Sequence, residues 1–291
     1  MQWTPRKWLA ALLGFFLQWL SFLYVGRWRL AGAYLLLWFV AVLIELHFGV
    51  PGYSSVALSV LCSVHAYRIA AKAPPVAGRP WYSRWYGIIG VAAGAFSVFF
   101  LFRAFLLEPF RMPSSAMAPT YERGTVFLVE KAGYGHFGTF GLFLTHRPPS
   151  TPVHRGTVVI FESPVSPGHN FVKRVIGIPG DTISYKDKTL SINGVAVTRE
   201  ATSAGDRVIV REELEGRSYE TLINPQRAAV DLEITVPPNH YYLVGDNRDG
   251  SDDSRRFGPV KAELLIGEVV YVFHKGAQLA HMDASSKPIG E

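Results

Sequence analysis

The chain has 291 residues, of which 49% are hydrophobic and 18% are charged. An ordinary soluble domain carries about 25% charged residues, so this composition argues against a purely cytosolic enzyme. Nine of the 29 Lys and Arg residues lie before Phe110, but only two of the 23 Asp and Glu residues do. Positive charge concentrated in the apolar third is typical of a membrane protein and not of a nucleic-acid groove, so no nucleic-acid partner is predicted.

Four apolar stretches precede Phe110, at residues 8–25, 30–48, 56–71 and 87–107. A helix needs about 20 apolar residues to cross a bilayer, which the second and fourth stretches provide and the first nearly provides. Polar residues such as Ser59 and Ser63 interrupt the third, which is therefore interpreted as packing against its neighbours or lying in the interface. The sequence predicts a membrane domain over residues 1–108 with three to four apolar helices, interpreted as an anchor.

The orientation of these helices is predicted from the basic loops. Residues 72–85 contain Lys72, Arg79 and Arg84, whereas residues 49–54 contain no Lys or Arg. The basic loop is expected in the cytoplasm, so the last span delivers everything after Glu108 to the outer side. Four full crossings would then put the basic pair at positions 6 and 7 outside, so either the first segment is a re-entrant or interfacial hairpin or the rule fails there.

After Pro109 the sequence changes to short runs rich in Val, Ile, Phe and Tyr, separated by Gly, Pro, Asn and Asp. These runs predict β-strands at residues 125–131, 156–161, 171–178, 182–192, 207–210, 233–236, 241–244 and 268–274. Turns are predicted at Lys186-Asp187 and Asn193-Gly194. The predicted fold is N-terminal transmembrane helices followed by a mainly antiparallel β domain over residues 109–275, with an inserted subdomain at 199–236 and a flexible tail at 276–291.

Residues 134–143, with the sequence YGHFGTFGLF, form an uncharged segment rich in aromatic side chains. Two interpretations stay open for this segment. Its aromatic side chains enter the membrane interface, or it forms a hairpin that is buried in the β core.

Three motifs place reactive side chains in the predicted β domain. The first, PSSAMAPT at residues 113–120, directly follows the last apolar stretch. The second, FVKRVIGIPGD at residues 171–181, contains a lysine within an apolar strand. The third, GDNRDGSDDSR at residues 245–255, is a polar turn dense in charge.

In this order and spacing the motifs resemble the type I signal peptidase (leader peptidase) family, whose members carry a Ser/Lys dyad on a membrane-anchored β domain. The resemblance covers nearly all of residues 109–273. The matching family patterns are P-S-x-S-M-x-P-T, K-R-V-x-G-x-P-G-D and G-D-N-R-x-x-S-x-D-S-R-x-x-G-x-V. The resemblance implies a membrane-bound serine endopeptidase that cleaves signal peptides from exported preproteins.

One departure from the family pattern affects catalysis directly. Ala116 stands where the family has its nucleophilic serine, and a methyl group cannot attack a carbonyl, so the chain is expected to be inactive as written. The residue is explained either by a deliberate Ser→Ala substitution, which the otherwise intact motifs favour, or by a natural pseudo-peptidase. A shift of the nucleophile to Ser115 is disfavoured because neighbouring side chains of an extended segment point to opposite faces.

Lys173 is the expected general base. A lysine with its ordinary pKa near 10.4 is protonated at neutral pH, but apolar neighbours such as Phe171 and Val175 predict burial, which lowers the pKa. The competing interpretation is a strand lysine that points to water. Arg174 lies on the opposite face and is expected to be structural, paired with a carboxylate of the third motif.

The remaining site residues follow from the resemblance. Ser251 is implied to orient Lys173, and Ser114 is implied to form the oxyanion hole with the amide of residue 116. The implied substrate-binding residues are Met112, Pro113, Ser115 and Met117. The implied structural network consists of Asp246, Arg248, Asp253 and Arg255.

No cofactor is predicted, and the scattered histidines give no metal-ligand spacing. The implied partners are preproteins bearing signal peptides, membrane lipids and, as a candidate, the protein export channel. The implied location is the bacterial inner membrane, multi-pass, with the catalytic domain on the periplasmic face. Two alternatives are a non-enzymatic pseudo-peptidase that binds signal peptides and a soluble self-cleaving Ser/Lys repressor. The apolar spans and the absence of a helix-turn-helix pattern argue against the repressor.

Overall fold

A computed structural model describes residues 2–48, 52–201 and 207–274. The predicted tail at 276–291 lies outside these residues. The chain divides into two compact units, Met1–Leu101 and Phe102–Glu291.

The first unit is helical. Its helices, with the last continuing into the second unit, are α1 (Lys7–Leu17), α2 (Leu20–Tyr24), α3 (Trp28–Phe48), α4 (Tyr53–Lys72) and α5 (Trp85–Phe105). Three of them, α3, α4 and α5, are long and apolar enough to cross a membrane. The first apolar stretch does not form one helix, because Gln18 adopts a left-handed backbone with φ 44° and separates α1 from α2.

Helix α4 packs closely on α1. A side chain at Gly14 would place its Cβ 2.6 Å from the Cα of Ser63, so only glycine permits this approach. The Ser63 hydroxyl donates to the carbonyl of Ala11 at 2.9 Å, and the Gln18 amide donates to the Ser59 hydroxyl at 3.0 Å. The polar residues that interrupt the third apolar stretch are thus satisfied between helices, as is usual for transmembrane segments.

The second unit is built on a seven-stranded antiparallel sheet with the strand order β1-β2-β16-β5-β6-β14-β15. Its strands are β1 (Leu107–Arg111), β2 (Val126–Glu130), β5 (Val158–Glu162), β6 (Asn170–Gly177), β14 (His240–Val244), β15 (Val260–Lys261) and β16 (Leu265–His274). A short helix, α6 (Ser254–Phe257), follows β14. Together with the helices before it, this sheet confirms the predicted fold class.

Three smaller sheets complete the unit. They comprise a hairpin of β3 (Phe137–Thr139) and β4 (Leu142–Thr145), a sheet of β13 (Leu232–Thr235), β7 (Thr182–Lys186), β8 (Thr189–Ile192) and β9 (Val195–Ala196), and a sheet of β10 (Thr198–Ala201), β11 (Val208–Leu214) and β12 (Arg217–Ile223). The predicted insertion at 199–236 contains β11, β12 and β13, and the last of these pairs with β7.

Strand β6 is buried on both faces over most of its length. Because alternate side chains of a strand point to opposite faces, Lys173 and Arg174 face different layers, and both are buried. A strand covered on both sides supplies two distinct environments, one for the Lys173 amine and one for the Arg174 guanidinium.

The β3–β4 hairpin forms its own two-stranded sheet outside the main one. Phe140, Leu142 and Leu144 are all exposed on it. Within the segment 134–143, burial in the β core is therefore wrong for Phe140 and Leu142, whereas Tyr134 is buried in a core cluster. That its aromatic residues reach the membrane interface stays a prediction.

Candidate active site

The three motifs meet at one groove with a volume of about 540 Å³. The first motif supplies the loop between β1 and β2, the second lies on β6, and the third follows β14. Among the lining residues are Met112, Pro113, Ser114, Ser115, Ala116, Lys173, Gly250 and Asp252. Residues far apart in sequence, including position 116 and Lys173, thus share one cavity.

Hydrogen bonds to main-chain carbonyl oxygens hold the first motif to the third. The amide of Asn247 donates to the carbonyl of Ala116 at 3.1 Å, and the Asn247 side chain donates to the carbonyl of Ser115 at 3.1 Å. Within the first motif, the amide of Ala118 donates to the same Ser115 carbonyl at 3.1 Å. The backbone at residue 116 is consequently fixed against the turn that carries Ser251.

Gly245 permits this close approach. A Cβ at this position would lie 2.6 Å from the carbonyl oxygen of Ala116 and would also collide with the Ser251 hydroxyl. The start of the third motif therefore has no room for a side chain.

Lys173 is 4% exposed. Burial lowers the pKa of its amine to about 8, although the negative charges of Asp253 and Asp252 oppose the shift. The amine also lies 5.5 Å from the centre of the Phe171 ring. At mildly alkaline pH a large fraction of this amine is neutral and able to accept a proton.

Asp253 supports the turn that holds Ser251. Its carboxylate accepts the amide of Gly245 at 2.9 Å and forms an ion pair with Arg255 at 2.8 Å. Burial opposes ionisation, but the hydrogen bonds and charge of Arg255 and the hydrogen bond from the Gly245 amide outweigh it and lower the pKa of Asp253. The turn that carries Ser251 therefore contains a charged pair at neutral pH.

Arg174 occupies the opposite face of β6 and binds Asp246 through two hydrogen bonds of 2.8 and 2.6 Å. The Thr120 hydroxyl donates to the same carboxylate at 2.5 Å. Asp246 thus joins all three motifs in one buried contact. Thr120 had no role assigned from the sequence, and its place at the end of the first motif is the only local signal for one.

Arg248 is buried and forms an ion pair with Glu212 of β11. The Tyr219 hydroxyl donates to the same Glu212 carboxylate at 3.0 Å. This pair connects the third motif to the three-stranded sheet. Sequence reasoning missed Glu212, because a glutamate in a polar segment gives no sign that it is buried.

The serines of the first motif lie at the groove. The Ser114 hydroxyl accepts the amide of Ala116 at 3.4 Å, and the exposed Ser115 contributes to the lining. Met112 lines the groove, but Met117 is fully buried in the core and is absent from the described lining. The opposite wall includes Gly168, His169 and Asn170, which sequence reasoning did not select.

The comparisons with known proteins point to one family. A sequence model of the family described as signal peptidase, peptidase S26, matches residues 83–274, which contain all three motifs. The signal peptidase I of Pseudomonas aeruginosa is 39% identical over 178 residues, which cover 57% of this chain and 61% of that protein. The signal peptidase I of Pseudomonas fluorescens is 37% identical over 207 residues, which cover 64% of this chain and 72% of that protein.

A solved structure of a signal peptidase I from Enterococcus faecalis V583 is 30% identical, with a TM-score of 0.30, and the match covers 41% of this chain and 98% of that one. The chain spans less than two thirds of the length of the Pseudomonas aeruginosa relative. The family match itself extends from the start of α5 to the last strand of the β domain. By that match, the chain belongs to the signal peptidase, peptidase S26, family.

Proposed function

We propose that this chain is a membrane-bound signal peptidase I that lacks its nucleophile, with Ala116 in the place of the catalytic serine. The observation that carries the proposal is the buried amine of Lys173, which lines the same groove as residue 116 and has a pKa lowered to about 8. A surface lysine, with a pKa near 10.4, would be almost fully protonated at a pH of about 8 and could not act as a base. The peptidase domain is assigned to residues 109–275, with 199–236 as an insertion.

With serine at position 116, the neutral Lys173 amine would take the hydroxyl proton while the serine oxygen forms a bond to the scissile carbonyl carbon. The C–N bond then breaks, and the lysine returns the proton to the leaving amine. A water molecule, activated by the same amine, hydrolyses the acyl-enzyme. Ser251 is assigned to hold the Lys173 amine in position by its place in the family pattern, and its turn is fixed by the Asp253–Arg255 ion pair.

The oxyanion hole is assigned to the amide of residue 116 and the hydroxyl of Ser114. In this structure the amide donates to that hydroxyl at 3.4 Å, so the carbonyl oxygen of a bound substrate has to replace the hydroxyl as acceptor. Two donors at one point stabilise the charge that develops on the carbonyl oxygen. The amide is part of the backbone and is retained in Ala116. Transition-state stabilisation is therefore expected to be present while attack is absent.

The proposed substrate is the extended segment of a preprotein signal peptide. β1 is an edge strand of the main sheet, and residues 112–116 continue from it along the groove. An extended peptide can add to such an edge and place alternate side chains in shallow pockets. Met112, Pro113 and Ser115 are the assigned contacts, whereas the buried Met117 supports the groove from below.

The proposed location is the bacterial inner membrane, with the β domain on the periplasmic face. The basic loop at 72–85 supports this orientation. Membrane lipids and the protein export channel are the proposed partners besides preproteins.

The test compares cleavage of a preprotein ending in Ala-x-Ala by the parent chain and by its Ala116→Ser variant, in detergent at mildly alkaline pH. We expect cleavage by the variant alone, because only the attacking hydroxyl is missing from the parent. The control is the Ala116→Ser, Lys173→Met double variant, which keeps the serine and the size of residue 173 but has no base. Cleavage by the double variant at the same rate would refute the role of Lys173.

A second candidate, a pseudo-peptidase that binds signal peptides without cutting them, is favoured by Ala116 itself. If neither the parent nor the Ala116→Ser variant cleaves the preprotein but both bind its signal peptide, the result would support this function instead.

A further inference from the structure

The β3–β4 hairpin brings two histidines together at its base. Its two-residue turn, Phe140-Gly141, has positive φ at both positions, and Phe137 pairs with Thr145 across the strands. The next residues outward are His136 and His146, and their ring centres lie 4.2 Å apart. The hairpin geometry therefore opposes two imidazoles directly.

Gly135 allows the chain to close next to this pair. It adopts a φ of 73°, and a Cβ there would lie 2.7 Å from the carbonyl oxygen of Arg147. The amide of Arg147 donates to the carbonyl of Gly135 at 3.3 Å, and the Thr145 hydroxyl donates to the same oxygen at 2.8 Å. These contacts fix the backbone on both sides of the two imidazoles.

A carboxylate completes the cluster. Glu162 ends strand β5, and one of its oxygens and one nitrogen from each imidazole all lie within 4.8 Å of one another. Imidazole nitrogen and carboxylate oxygen are the ligands that Zn²⁺ takes in sites with three protein ligands and an open fourth position. We propose that His136, His146 and Glu162 bind a divalent transition-metal ion, with Zn²⁺ as the expected occupant.

The contacts around His136 match those of a metal-binding histidine. Its Nδ1 lies 3.1 Å from the carbonyl oxygen of Glu263. A carbonyl only accepts, so Nδ1 carries the proton, and in the neutral imidazole Nε2 then carries the lone pair that a metal requires. Ligating histidines commonly donate their other nitrogen to a carbonyl in this way, because the bond fixes the tautomer and the ring orientation.

Glu162 is also held by an outer contact. Its Oε1 accepts the amide of Gly168 at 3.0 Å. A carboxylate has enough lone pairs to keep this bond and bind a cation as well. Because Gly168 lines the groove that contains Lys173, a bound ion would tie the hairpin to the loop that forms one wall of the groove.

The cluster has an open side. His136 is 1% exposed, but His146 is exposed to solvent. An ion can therefore reach the site without unfolding of the domain, and water can fill the fourth position. The histidines carry no ligand spacing in the sequence, since the site depends on the hairpin register and on a strand further along the chain.

The test measures cobalt and zinc binding to the full chain in detergent, after removal of any affinity tag and of bound metal with a chelator. Titration with Co²⁺ is expected to give the strong visible absorption of a four-coordinate site at one equivalent, and Zn²⁺ is expected to abolish it by displacement. His146→Ala and Glu162→Gln are each expected to weaken binding by about 10–100-fold or more, since loss of a group that only hydrogen-bonds to a ligand already costs that much.

The matched control is His154→Ala, which removes an exposed histidine of the same domain that lies outside the cluster. This variant should bind Co²⁺ like the parent. The proposal is overturned if the parent gives no such spectrum, or if His146→Ala or Glu162→Gln binds as tightly as the control. Near-ultraviolet circular dichroism of each metal-free variant separates loss of a ligand from loss of the fold.

Discussion

Lys173 and Arg174 are neighbours on one buried strand, yet the charge of Arg174 is retained and that of Lys173 is destabilised. The Arg174 guanidinium forms two hydrogen bonds with the Asp246 carboxylate, so its charge is compensated. Burial lowers the pKa of the Lys173 amine to about 8, outweighing the charges of Asp253, Asp252 and Asp246 that act on it. A buried cation keeps its charge only where a partner replaces the lost water.

The activity of the Ala116→Ser variant should depend on pH through Lys173. The protonated amine cannot accept a proton, so kcat/KM should rise with pH through the pKa of about 8. Between pH 7 and pH 9 the neutral fraction of such a group increases about tenfold, and kcat/KM should increase by about the same factor. The measurement is cleavage of a fluorogenic signal-peptide substrate across this range. A rate that is flat from pH 7 to 9 would contradict the assignment.

At the scale of elements, the contact between β11 and the third motif has a defined energetic role. Glu212 and Arg248 are an ion pair that is almost completely buried, and Tyr219 donates to the same carboxylate. Removal of one partner leaves the other charge uncompensated, which costs about 3–5 kcal/mol. The three-stranded sheet therefore stabilises the turn that carries Ser251.

Glu212→Ala should accordingly lower the free energy of unfolding by about 3–5 kcal/mol, measured by chemical denaturation in detergent. Glu213→Ala is the control, because its side chain is exposed on the other face of the same strand and should change stability by less than about 0.5 kcal/mol. Equal stability of the two variants would show that the buried pair contributes nothing.

Hairpin turns show how closely local sequence fixes an element. The Asn193-Gly194 turn has positive φ at both residues, as its sequence predicts. The preceding turn is predicted at Lys186-Asp187, but the residues with positive φ are Asp187 and Lys188. Strand pairing decides this shift, because the register places Ile183 opposite Ile192 in the core.

At the scale of the whole molecule, the proposed orientation can be tested by cysteine labelling. Cys62 is buried and can be replaced by serine to give a background without reactive thiols. Val195→Cys then marks an exposed site of the β domain, and Gly78→Cys marks an exposed site of the basic loop. In bacterial cells with a permeable outer membrane and an intact inner membrane, an impermeant maleimide should label the first and not the second. The reverse pattern would contradict the positive-inside assignment.

The sequence alone determined the features that depend on neighbouring residues. Long apolar runs predicted the helices because a bilayer requires a fixed length, and short apolar runs between turn residues predicted the strands. The three motifs carried the resemblance to the family whose sequence model matches residues 83–274. The alanine at position 116 led to the hypothesis that the nucleophile is missing, which activity measurements can test.

Only the tertiary structure decided which side chains meet. The Glu212–Arg248 pair joins β11 to the turn after β14, and the His136, His146 and Glu162 cluster depends on one hairpin register. The first apolar stretch likewise forms two helices because Gln18 turns the backbone. Such contacts arise from packing between residues distant in the chain, so periodicity and composition along the sequence carry no signal for them.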